Sequence, residues 1–188
     1  MKKKKKTTKK SNAYQLATIG LMTAVLCILG PLSIPIGLIP VSLTNLGIYI
    51  VLYILGMKKG TASLNLYLLV GIVGFPVFSG FTSGPAKLFG PTGGYLIGFV
   101  FMALVAGLFI DRFVDRWYLC VAGMILGTTV CYVMGTSWLA YQANLSMNAA
   151  FAVGVAPFLL ADLAKIFAAA YVGPKIRTRL IKANLIHL

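Results

Sequence analysis

The chain has 188 residues, room for one domain. It is 59% hydrophobic and only 11% charged, against ~25% charge in an ordinary soluble domain, which excludes a water-soluble fold and makes lipid the expected solvent. The net charge of +14 raises nucleic acid as a partner, but seven of the 17 basic residues fall in the first ten positions and most of the rest in short clusters between apolar stretches, a distribution that carries membrane topology rather than an RNA-binding stripe.

After a basic tail over residues 1–12, the chain has no charged residue from Ser11 to Met57. A spanning helix needs ~20 apolar residues, so this stretch holds two. Pro31, Pro35 and Pro40 mark the turn between them, because proline removes a helix hydrogen bond and clashes with the preceding turn. The first helix is expected over Ala13–Leu29 and the second over Val41–Met57. Leu29-Gly30-Pro31 is not a small-x-small cleavage site, so the first helix reads as a span, not a removable signal. Lys58-Lys59-Gly60 reads as a tight basic turn into a third helix, Thr61–Phe78. A polar, glycine-rich loop follows over Ser79–Gly94, with Pro85, Lys87 and Pro91 inside it. The fourth helix is expected over Gly94–Ile110, a charged turn over Asp111–Arg116, and the fifth helix over Trp117–Gly135. A polar aromatic loop, Thr136–Asn148, leads to the sixth helix, which either starts near Asn148 and kinks at Pro157 or starts at Pro157, where proline is tolerated. It is expected to end at Gly173-Pro174, leaving a basic tail over 175–188.

Cytoplasmic loops carry excess Lys and Arg. With the N-terminal lysines inside, Lys58 and Lys59, Arg112 and Arg116, and the cluster Lys175, Arg177, Arg179 and Lys182 all fall on the same side, which places 15 of the 17 basic residues in the cytoplasm. Six crossings achieve this and an odd number does not. The expected architecture is therefore an all-α integral membrane protein, a six-transmembrane-helix bundle with both termini inside, made of one membrane domain over 13–174 and two basic tails.

Topology leaves Lys87, Asp162 and Lys165 unexplained. A charge at membrane depth costs ~2.5–3.5 kcal/mol on the lenient insertion scale and so faces the bundle interior. Asp162 and Lys165 are three apart, on one helix face and within reach of each other. They form either an ion pair that holds the last helix in register or a grip for a solute with both donors and acceptors, such as a urea or amide edge. Lys87 is either a solvated lysine or a clamp for a ligand anion. In Gly90-Pro91-Thr92-Gly93-Gly94-Tyr95-Leu96, the glycine pair permits close backbone approach at a helix mouth, where free N–H groups also favour an anion or carbonyl. Ala13, Ala17, Gly20 and Ala24 form a small-residue stripe that suits either internal packing or docking of another membrane protein. Cys27, Cys120 and Cys131 show no metal-site spacing and read as small apolar packing residues.

The run Leu88-Phe89-Gly90-Pro91-Thr92-Gly93-Gly94-Tyr95-Leu96-Ile97-Gly98-Phe99 resembles the signature of the BioY family, the biotin-binding S-components of energy-coupling-factor (ECF) importers. Pro35-Ile36-Gly37-Leu38-Ile39-Pro40-Val41 resembles that family's first outer loop, Gly71–Phe78 the end of its third helix, and Asp162-Leu163-Ala164-Lys165 its D-x-x-K element, in the same order. Thr44 stands where many relatives carry glutamine. The resemblance implies a non-enzymatic capture subunit that binds biotin near the outer face of the cell membrane. It also implies association with a membrane coupling subunit and two ATPases, so that ATP is used only by partners and the chain needs no cofactor or metal of its own. Asp162 would accept from a ureido N–H, Lys165 would donate to the ureido carbonyl or to the carboxylate, and Lys87 would clamp the carboxylate; Thr92, Gly94 and Thr44 would be further ligand contacts, and Tyr95, Phe75, Phe78 and Trp138 would wall the apolar parts. The stripe Ala13, Ala17, Gly20 and Ala24 would dock the coupling subunit.

Two other functional classes compete on the same residues. A stand-alone ion-coupled transporter would use Asp162 as a proton carrier. An intramembrane protease fails on inventory, since the one histidine, His187, is in the tail and Asp162 is the one aspartate at membrane depth.

Overall fold

The computed structural model describes residues 12–36, 39–183 and 185–186. The basic segment before Asn12, the tip Gly37-Leu38 and His187 lie outside the described residues. Among the described residues, seven helices and one two-stranded hairpin follow in the order α1 (Asn12–Leu29), β1 (Ser33–Ile36), β2 (Ile39–Ser42), α2 (Thr44–Val73), α3 (Pro85–Phe89), α4 (Gly93–Phe113), α5 (Trp117–Gln142), α6 (Met147–Gly154) and α7 (Leu159–Lys182). Helices α1, α4 and α5 are each long and apolar enough to cross a bilayer, and α6 with α7, bent by 49°, form a fourth candidate. α4 packs against α5 and α2, and α2 also packs against α1 and α7. The core runs through these seams, with Tyr49, Leu52, Leu64, Met102, Met124 and Leu139 fully buried.

The proline-rich turn between the first two helices is an antiparallel hairpin rather than an open loop, with Pro35 opposite Pro40. A two-stranded ribbon has free edges, where proline's missing N–H costs no ladder hydrogen bond. The next two expected helices are one element by hydrogen bonding, broken at Gly56 and not at Lys58–Gly60. Gly56 has φ 75° and ψ 176°, a conformation essentially reserved for glycine. The chain reverses there: Thr44 and Tyr67 line one cavity, although a straight helix would separate them by about 35 Å. The break exposes backbone groups, and charged side chains satisfy them. Asp111 Oδ2 accepts from the Met57 amide at 2.9 Å, and Arg177 Nη1 donates to the Tyr53 carbonyl at 3.4 Å. A carboxylate thus meets the positive end of one half-helix and a guanidinium the negative end of the other. The aspartate of the charged turn is therefore a helix cap as well as a topology residue.

Three other boundaries differ from the sequence expectation. α2 stops at Val73, where Gly74 takes φ 122° ahead of Pro76, so residues 74–78 are not helical. α5 continues seven residues past Gly135 to Gln142. α7 runs through Pro174 to Lys182, crossing the expected boundary between the membrane domain and the tail. The sixth expected helix is divided: Val155–Phe158 separates α6 from α7, so the Pro157 region is a joint between two helices.

Candidate functional site

At the end of the bundle where α4 and α7 begin, a cavity opens, lined from the hairpin, α2, α3, α4, α5 and α7. Its polar wall is built from α7. Asp162 and Lys165, one helical turn apart, make an ion pair of 2.8 Å with side chains only 8% and 11% exposed. The same carboxylate accepts Tyr132 Oη at 2.5 Å and Asn45 Nδ2 at 3.2 Å, both on Oδ2. Asp162 is thus held from α2, α5 and α7 at once. Oδ2 has both lone-pair positions filled, whereas Oδ1 serves only Lys165. The Lys165 ammonium has three protons and spends one. A free acceptor on Oδ1 therefore lies beside free donors on Lys165 Nζ.

Lys87 lies in α3 and lines the same cavity, half-buried. Burial lowers its pKa from the ordinary 10.5, because a partly desolvated ammonium is disfavoured. A ligand anion there would restore the charged form. Thr92 lies on the wall, buried just before α4. Tyr95, 8% exposed, donates to the Gly154 carbonyl at 3.0 Å and lies 3.3 Å from Thr136 Oγ1. Its ring is wedged against Gly135 and its hydroxyl against Gly154, where a Cβ would collide. Thr44 also lines the cavity and accepts from Ser42 Oγ at 2.9 Å. Ile39, Pro40, Val41 and Ser42 bring the hairpin over it.

The other predicted contacts lie elsewhere. Gly94 faces Trp138, not the cavity, and a Cβ there would overlap the indole. Gly93 meets the Leu88 carbonyl in the same way. The glycine pair is needed for close packing, which turns the chain from α3 into α4. Trp138 is half-buried and donates from Nε1 to the Gly90 carbonyl at 2.9 Å. With Gln142, which donates to the Phe89 carbonyl, it staples this loop to α5, so it shapes the site from behind. Phe78 is fully buried, edge-on to Tyr67 at 5.7 Å, and forms the floor of the core rather than a cavity wall. Phe75 is 61% exposed and does not line the cavity, because α2 has ended at Val73 and the chain leaves the helix before it.

Sequence reasoning missed Asn45, Tyr132, Tyr67, Phe99 and Phe158, all of which line the cavity. Asn45 had a readable signal, as the one amide side chain in the apolar run Val41–Met57. A carboxamide does stand at the start of α2, one position after Thr44. Tyr132 had no such signal, since a tyrosine in an apolar helix is common and only folding places it on Asp162. The stripe Ala13, Ala17, Gly20 and Ala24 is exposed along α1, next to exposed Leu16, Leu21 and Ile28. Among the described residues no cluster of His, Cys, Asp or Glu has the makings of a metal site.

The model of the BioY family matches residues 1–182. The biotin transporter BioY2 of Lactococcus lactis subsp. cremoris is 36% identical over 81% of this chain and 84% of its own length. The biotin transporter BioY of Thermotoga maritima is 35% identical over 87% and 95%. A solved structure of the S-component for biotin from an ECF-type ABC transporter superposes with a TM-score of 0.83 at 29% identity, covering 91% of this chain and 94% of that one. With a cavity built on the D-x-x-K pair and a family match over nearly its whole length, the chain belongs to the BioY family.

Proposed function

We propose that this chain is the biotin-capturing S-component of an ECF importer, a binding and transport subunit without catalysis. The observation that carries this reading is the buried Asp162–Lys165 pair, which presents a free acceptor on Oδ1 beside free donors on Nζ. A ureido edge has N–H donors flanking a carbonyl and complements that pair. The N–H is taken by Asp162 and the carbonyl by Lys165, while Lys87 takes the carboxylate across the cavity. Tyr95, Tyr67, Phe99 and Phe158 enclose the apolar ring and chain, with Thr92, Thr44 and Asn45 on the polar rim. The relatives named biotin transporters support the ligand, and the S-component likeness supports the ECF context.

The bundle crosses the cell membrane six times with both termini inside, the two halves of α2 on either side of Gly56 each counting once. The hairpin of lysines around Gly56, the α4–α5 turn and the end of α7 then share the cytoplasmic face, and the cavity opens outside. Energy comes from partners, a coupling membrane subunit and two ATPases, and the exposed stripe Ala13, Ala17, Gly20 and Ala24 docks the first. Equilibrium binding of labelled biotin to the purified chain tests the function: saturable binding at one site is expected, and none would overturn it. For the topology, Phe81→Cys reacts with an impermeant maleimide on intact cells and Asp115→Cys does not. The reverse pattern refutes the orientation.

A further inference from the structure

A second cleft lies at the opposite end of the bundle from the biotin cavity. One wall is a single face of α7, with Phe167, Ala170, Tyr171, Pro174 and Lys175 at the three- and four-residue spacing of neighbours on a helix. The other is the α4–α5 turn, with Val114, Asp115 and Trp117. Phe167, Tyr171 and Trp117 are 53%, 68% and 61% exposed. Tryptophan, tyrosine and lysine together at helix ends are the composition of the membrane–water interface. Two opposite charges stand on the rim without neutralising each other. The one ion pair among the described residues is Asp162–Lys165, and the Lys175 ammonium instead rests 3.3 Å from the centroid of the Tyr171 ring.

We propose that this cleft holds one bilayer phospholipid with an ethanolamine headgroup, its ammonium on Asp115 and its phosphate on Lys175. Trp117 and Tyr171 flank the headgroup, and Val114, Phe167 and Ala170 line the start of an acyl chain. The paired charges select this class. An anionic glycerol headgroup brings a phosphate for Lys175 but nothing for Asp115. A quaternary ammonium has no N–H to donate to the carboxylate. The proposal rests on membrane embedding and not on the ligand of the outer cavity.

Native mass spectrometry of the full chain, with equal amounts of phosphatidylethanolamine, phosphatidylglycerol and phosphatidylcholine, tests it. The wild type should retain one phosphatidylethanolamine in preference to the others by roughly fivefold, the size of a charge contact at the membrane surface. Asp115→Asn should abolish that preference, and Lys175→Gln should reduce retention of all three. Both variants should bind biotin as the wild type does, which separates a failed lipid site from a failed fold or a failed outer site. Equal retention of the three lipids by the wild type, or an unchanged preference in Asp115→Asn, overturns the proposal. So does cross-linking of Val114→Cys in native membranes to a polypeptide instead of lipid, which would make the cleft a protein interface.

Discussion

Replacing Asp162 by asparagine separates a ligand grip from a structural ion pair. The carboxylate accepts three hydrogen bonds, from Tyr132 at 2.5 Å, Lys165 at 2.8 Å and Asn45 at 3.2 Å. Asparagine has one acceptor oxygen. Turned toward Oδ2's position, it keeps Tyr132 and Asn45 but presents an NH₂ to the Lys165 ammonium, donor against donor. The variant therefore loses one charge-assisted hydrogen bond and leaves an 11%-exposed ammonium without its counter-charge. It also loses the Oδ1 acceptor that the ureido N–H needs. Hydrogen bonds to charged groups are worth about 1.5–3 kcal/mol, so biotin affinity should fall by roughly 10- to 150-fold. The assay is equilibrium binding of labelled biotin, alongside thermal unfolding of the same preparations. Lys165→Met should show a loss of similar size. The double variant should be less destabilised than the two singles summed, because each single leaves a buried partner exposed to desolvation without compensation. A lower melting temperature with biotin affinity within about twofold of wild type would refute the assignment and reduce the pair to a register lock for α7.

Tyr132→Phe should weaken biotin binding by less than Asp162→Asn, because its hydroxyl meets Oδ2 and not the free Oδ1. An effect undiminished in an Asp162→Asn background would show that Tyr132 acts on the ligand directly. Biotin affinity should fall as pH rises through the Lys87 pKa, which burial holds below 10.5, since the neutral amine no longer attracts a carboxylate. Lys87→Met should lower affinity and flatten this alkaline limb, and a limb of unchanged shape would exclude Lys87 from carboxylate binding. Gly56→Ala should cost about 1–3 kcal/mol of stability, the range for backbone strain of this kind, read as a lower melting temperature with biotin stoichiometry unchanged in the folded fraction. Gly94→Val should disrupt the α3–α4 turn by forcing Trp138 aside. Loss of stability with wild-type affinity in the surviving protein would confirm that Gly94 packs and does not bind.

The linear chain was decisive wherever solvent alone selects the residue. Helical membrane architecture follows from long uncharged runs, since lipid offers backbone groups no partners and forces helices. Asp162, Lys165 and Lys87 stood out because a charge is costly at depth and topology had no use for them. All three line one cavity, as do Tyr95, Thr92 and Thr44. The aromatic walls were not readable, because an apolar ring costs the same in lipid, in a core or in a cavity. Composition cannot tell Phe78 in the core and Phe75 outside from Phe99 and Phe158 at the site.

Tertiary structure decided what depends on contacts between distant segments. The reversal at Gly56 rather than at the adjacent lysines was settled by Asp111 and Arg177, which arrive from α4 and α7 to take up the broken backbone bonds. Proline at 174 reads locally as a stop, yet α7 continues through it to Lys182. Gly94 was visible as a glycine at a helix mouth, but only the approach of α5 shows that its missing side chain makes room for Trp138 and not for a ligand. Sequence thus determined the solvent, the helical class and the costly charges, each a property of one segment in its medium. The fold determined which neighbours complete them, because the Asp162 carboxylate is finished by groups 117 and 30 residues away along the chain.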